Sequence, residues 1–163
     1  MIENLLELFR FRALISALVV RHLAARYRGS FLGYLWSLLN PLCLMLVYML
    51  VFKYYIRFTS VEHYSIFLFV GLLPWIWLSN SLLEGANSIV ANGSLVTKSM
   101  FPAQALPTVS VLTGLVHFLL SLPVLFLIMV IQGVHIPFTV IYLPLLVLLQ
   151  VFLLYGLALV VSA

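Results

Sequence analysis

Charge is what this sequence has least of. Only 7% of its 163 residues are Asp, Glu, Lys or Arg, against 65% hydrophobic. A soluble domain carries about 25% charged residues, so this chain lacks the polar surface to cover a water-soluble globule. The acids are Glu3, Glu7, Glu62 and Glu84. They are read as lying in polar segments, and none forms the pair that general acid–base chemistry needs. Glu3 and Glu7, one helical turn apart, read as a solvated face. Cys43 is the single cysteine, which excludes an intrachain disulfide and a metal site of the Cys-cluster type. His22, His63, His117 and His135 show no metal-ligand spacing. No phosphate-binding G-x-x-x-x-G-K-[ST] loop exists, so uphill work would draw its energy from another subunit or a gradient. The long apolar runs carry no acid, Lys or Arg, which argues against ion-coupled transport.

What is present is apolar and continuous, with a mean hydropathy of +1.24. Helices and closed barrels are the structures that satisfy the backbone in lipid. A barrel would alternate over segments of about ten residues, whereas these runs approach or exceed the ~20 residues of a membrane helix. The expected fold is therefore all-α: a polytopic helical membrane protein with an N-terminal amphipathic interface helix over residues 1–29 and a transmembrane domain over 30–163. Four spans are predicted at about 31–52, 64–83, 106–131 and 138–162, with a polar loop at 84–102. Residue 163 ends an apolar run with no polar anchor behind it, so truncation after the fourth span is expected.

Along residues 1–28, a helical projection puts Glu3, Glu7, Arg10, Arg21 and Arg28 on one face. Ile2, Leu5, Leu6, Phe9, Val20 and Leu23 lie roughly opposite, with Leu14 and Leu18 on the polar side. Such a helix lies along a membrane rather than across it; a simple topogenic tail is the alternative. Interspersed charges and the lack of an apolar core before a small-residue site exclude a signal peptide. Arg26 and Arg28 set the membrane boundary near Gly29, because a central Arg costs roughly 2.5–3.5 kcal/mol. Arg10, Arg12, Arg21, Arg26, Arg28 and Lys98 fall on one side of the predicted topology, Lys53 and Arg57 on the other. The positive-inside rule then places the N-terminus and the 84–102 loop in the cytoplasm.

Inside the first span, Asn40-Pro41 frees a backbone carbonyl and offers a polar side chain, which calls for a protein or water neighbour. Tyr34 and Trp36 lie near the boundary, as interface anchors or as faces over which a sugar chain slides. His117 is the ionisable residue of the third span, either functional or interhelical glue. In the 84–102 loop, Glu84 to Ala91 can form two helical turns, Asn92-Gly93 is a turn or cap pair, and Phe101 precedes Pro102. A short amphipathic helix there suits a partner's groove, although a plain connector would read the same.

RYRGSFLGYLWSLLNP (26–41) and EGANSIVANGSLVTKSMFP (84–102) together resemble the transmembrane permease subunit of type-2 ABC exporters for polysaccharide or polyol phosphate: lipid-linked O-antigen, capsule or teichoic acid. The resemblance implies a six-span subunit of a homodimer in the bacterial inner membrane, of which four spans are here. It implies a separate ATPase subunit that binds the ATP, no cofactor or metal of its own, a lipid-linked polysaccharide substrate, contact with membrane lipids, and no nucleic acid. The loop would be the coupling helix, with Glu84, Asn92, Leu95, Lys98 and Phe101 toward the ATPase. Arg26, Tyr27, Arg28 and Ser30 would meet the lipid-pyrophosphate headgroup, to which guanidinium is suited. Gly33, Tyr34, Trp36 and Pro41 would shape the channel. Two other readings are a membrane-bound enzyme of lipid-linked sugar metabolism, for which paired acids are missing, and a non-transporting anchor or scaffold.

Overall fold

The structure, a computed structural model, describes residues 11–27, 35–52, 62–91 and 105–162. Among these residues there are five α-helices and no strand: α1 (Arg12–Tyr27), α2 (Leu35–Leu50), α3 (Tyr64–Ala91), α4 (Ala105–Ile131) and α5 (Leu143–Ser162), the last preceded by a 3-10 turn, Phe138–Tyr142. Three described helical stretches are long and apolar enough to cross a membrane: Tyr64–Ser88, Ala105–Ile131 and Phe138–Val161. The described part of the first expected span contributes a shorter apolar helix, Leu38–Leu50. The chain is a polytopic helical membrane protein.

The α3–α4 pair is the centre of the bundle and its largest interface. On α3, Ile66, Phe69, Leu73, Trp77, Ser81, Gly85 and Ser88 are buried, at the three- and four-residue spacing of one helical face. They meet Val111, Phe118, Leu122, Leu125 and Met129 of α4 in one core, with Leu154 and Ala158 of α5. The opposite faces of α4 and α5 expose Leu, Ile, Val and Phe side chains, which suits hydrocarbon rather than water.

The end of α4 follows from its sequence. Gly133 adopts φ +69°, Val134 N–H donates to Met129 O at 2.9 Å, and Gly133 N–H donates to Val130 O at 3.1 Å. This is a Schellman motif, which glycine permits without a Cβ penalty. Gln132 Nε2 then donates to Ser65 Oγ at 2.6 Å, tying the end of α4 to the start of α3.

Prolines 41, 74 and 123 lie inside α2, α3 and α4, where each removes a helical donor. Near one of these breaks, Gln150 Nε2 of α5 donates to Pro74 O at 3.0 Å. Interhelical hydrogen bonds in membranes average about 0.6 kcal/mol and reach about 1.7. Gln150→Leu should therefore lower the unfolding free energy by that average in a detergent titration. An unchanged midpoint would show the bond contributes nothing net.

Two expectations change. The second span does not stop at Leu83: α3 continues without a break through Glu84 to Ala91. Glu84 thus lies within the same continuous helix as the apolar stretch. A charge followed by Gly85 reads as an end, but a lone glycine is tolerated within a helix, and Ile89 and Val90 resume the apolar pattern. The packed face of α1 also differs. Ile15 and Leu23 are buried while Val20 is exposed, and Leu18 and Val19 join Ile15 against Ala105, Val109 and Leu112 of α4. Docking on α4 selects the Ile15–Leu18–Val19 stripe over the face that charge avoidance suggested.

Candidate functional site

Polar residues of α3 and α4 face one another along a single seam. On α3, Asn80, Glu84 and Asn87 recur at four- and three-residue spacing, which puts them on one face. On α4, Ser110, Gly114, His117 and Ser121 recur in the same way. Two cavities open along this seam. The first, about 50 Å³, is lined by Asn40 and Pro41 of α2, by Trp77, Asn80 and Glu84 of α3, and by Gly114, His117, Phe118 and Ser121 of α4, among others. The second, about 220 Å³, is lined by Leu18 and His22 of α1, Glu84, Asn87 and Ser88 of α3, and Leu106, Val109 and Ser110 of α4. Glu84 borders both.

The wall between α3 and α4 is rigid. Trp77 is 2% exposed. Its Nε1–H donates to Val111 O at 3.1 Å, and its ring lies 5.2 Å from that of Phe118. Gly114 faces the indole directly: a Cβ there would overlap Trp77 Cδ1 and stand 2.8 Å from Nε1. Ser88 Oγ donates to Gly85 O at 2.6 Å, Thr113 Oγ1 to Val109 O at 2.8 Å and Ser121 Oγ to His117 O at 2.9 Å. Each satisfies its own helix and keeps the seam narrow. Ser81 Oγ is buried beside Gly114 with no hydrogen-bond partner among the described residues. No group of three or more His, Cys, Asp or Glu that could hold a metal is found among them.

The structure brings together four of the residues singled out from sequence: Asn40, Pro41, Glu84 and His117 line the same cavity. Pro41 is buried, while Asn40 beside it is exposed at the cavity rim. Arg26 and Tyr27 are the last two positions of α1, and Trp36 is the second of α2. Arg28, Ser30, Gly33, Tyr34, Asn92, Leu95, Lys98 and Phe101 lie outside the described residues.

No family model matches the chain. Curated proteins do. The chain is 47% identical over 150 residues to an O-antigen export system permease protein of Myxococcus xanthus, covering 92% of this chain and 57% of that protein. It is 31% identical over 150 residues to the protein of the same description from Klebsiella pneumoniae, covering 91% and 58%. A polysialic acid transport protein of Escherichia coli matches at 30% identity over 82 residues, 50% of this chain and 32% of its own length. Over most of its length the chain is similar to O-antigen export system permease proteins. It spans just over half the length of the O-antigen relatives.

Sequence reasoning missed Trp77, Gly114, Asn80 and Asn87. Trp77 is clamped inside the bundle, between Val111 O and the Phe118 ring. The Asn80–Glu84–Asn87 spacing was the available signal, and it was lost when Glu84 was taken as a loop residue.

Proposed function

We propose that the chain is the membrane-spanning part of an ATP-driven exporter subunit that moves a lipid-linked polysaccharide, of the O-antigen, capsule or teichoic-acid type, across the cytoplasmic membrane. The observation that carries this reading is the 47% identity over 92% of the chain to a protein named for O-antigen export. The helical bundle is compatible with it. The chain lacks a phosphate-binding loop, so ATP binding and hydrolysis fall to a separate ATPase subunit, and the chain carries no catalysis or cofactor of its own. The working unit is a homodimer in the bacterial inner membrane with a cytoplasmic N-terminus. Arg26, Tyr27, Arg28 and Ser30 receive the phosphate of the lipid carrier, while Gly33, Tyr34, Trp36 and Pro41 shape the path. Asn92, Leu95, Lys98 and Phe101 dock the ATPase, and Glu84 joins that segment to the bundle.

The decisive experiment is co-purification with the ATPase. Leu95→Asp with Phe101→Asp puts two carboxylates into an apolar contact. Losing an interface hot spot costs about 2 kcal/mol or more, roughly thirty-fold in affinity. The variant should leave the membrane fraction and the monodisperse elution profile unchanged while losing the ATPase. Retention of the ATPase at the wild-type ratio would remove this segment as the docking element.

A further inference from the structure

We propose that the α3–α4 seam is a water-filled vestibule, entered at the end of the bundle nearest α1 and ending inside the bundle at His117 and Ser121. The inference does not depend on what the protein exports.

Two observations carry it. The first is chemical. A cavity lined by leucines stays dry, whereas one that offers two to four polar partners holds water. The inner cavity presents the amides of Asn40 and Asn80, the Glu84 carboxylate, the His117 imidazole and the Ser121 hydroxyl. The second is size. At about 50 Å³ the inner cavity exceeds the ~10–15 Å³ that one water requires by this measure, so it takes a few waters and is too small for a sugar ring.

Continuity comes from Glu84, which borders both cavities. The outer cavity, against α1, is wide and mostly apolar with His22 at its wall; the inner one is smaller and more polar. An acidic side chain within an apolar helix characteristically faces a water-filled cavity, and Glu84 is the acidic residue common to both. Pro41 adds a second reason for water at depth, since its ring nitrogen gives no helical hydrogen bond to the carbonyl of Ser37.

Thiol reactivity tests this directly, because the reacting species is the thiolate, which forms in water and not in hydrocarbon. In a Cys43→Ser background, Asn80→Cys and Ser121→Cys test the vestibule. Leu119→Cys tests the exposed apolar face two residues away on the same helix. With the full polypeptide in liposomes and a small, water-soluble methanethiosulfonate added on both sides, the seam positions should react about ten-fold faster or more than Leu119→Cys. Equal, slow rates at all three positions in variants that elute as wild type would overturn the vestibule. The unsubstituted protein gives a second readout. In solid-state NMR, magnetisation from water should build up faster on the carbon-bound ring protons of His117 than on the methyls of Leu127, which faces outward. Equal build-up would show a dry seam and end the proposal.

Discussion

Gly114→Ala should destabilise the protein by about 1–3 kcal/mol, the usual range for overpacking, and Gly114→Val by more. The added Cβ would overlap Trp77 Cδ1 and lie 2.8 Å from Nε1 and 3.0 Å from Ser81 Oγ. An indole can yield only by turning, and this one is held on both sides. Its N–H is committed to Val111 O at 3.1 Å, and the Phe118 ring lies 5.2 Å away. Turning the ring out would leave a buried donor unpaired, a loss of about 1–3 kcal/mol. Helix propensity acts the other way, since alanine gains about 0.8–1.0 kcal/mol over glycine, but it cannot offset a steric overlap of this depth. Thermal or detergent unfolding is the measurement. Trp77→Leu alone should be destabilising through lost volume, yet in the Gly114→Ala background it should recover part of the loss. A double-mutant cycle would show that coupling. A wild-type midpoint for Gly114→Ala would mean that the indole has room to move.

The apolar periodicity and the turn residues made much of this architecture readable. The third apolar run begins and ends within one residue of α4, because it is bounded by polar residues and closed by Gly133. The Asn40-Pro41 break pointed to a protein or water neighbour; Pro41 is buried, while Asn40 is exposed at the rim of a cavity between helices. Pairing between distant residues was not readable. Trp77 and Gly114 are each unremarkable on their own helices, and only the crossing of α3 and α4 makes one the slot for the other. Glu84 was misplaced because a charge in an apolar sequence usually marks water, whereas here neighbouring helices supply polar company. The α1 stripe differs in part for a related reason: charge avoidance reports where water is, and it found the buried Leu23 but not Ile15, which is buried against α4 with the half-buried Leu18 and Val19. On α5 nearly every residue is apolar, so no face stands out in sequence. Its contact through Leu154 and Ala158 is set by the small residue opposite on α3.

That small residue is Gly85, and replacing it tests what holds α5 in place. Much of α5 exposes apolar side chains, including Leu145, Leu149, Phe152 and Val160. In a bilayer these gain nothing by leaving lipid, so helix association depends on close packing and polar contacts. Two such contacts join α5 to α3: the Gln150–Pro74 hydrogen bond and the approach of Ala158 to Gly85. A Cβ at Gly85 would stand 3.3 Å from Ala158 Cβ and 3.8 Å from its Cα. For Gly85→Ala, a few tenths of an ångström of yielding opposes a propensity gain of about 0.8–1.0 kcal/mol, and the net change should lie near zero. For Gly85→Leu the clash reaches the α5 backbone, which has no rotamer to change, and a loss of about 3 kcal/mol is expected, at the upper end of overpacking. Ala158→Gly should restore part of it by opening the facing slot, whereas the same change in the wild-type chain should only destabilise. Reversible unfolding of the four proteins in mixed micelles gives the coupling. If Gly85→Leu proves no less stable than Gly85→Ala, close approach at Gly85 is not what seats α5 against α3.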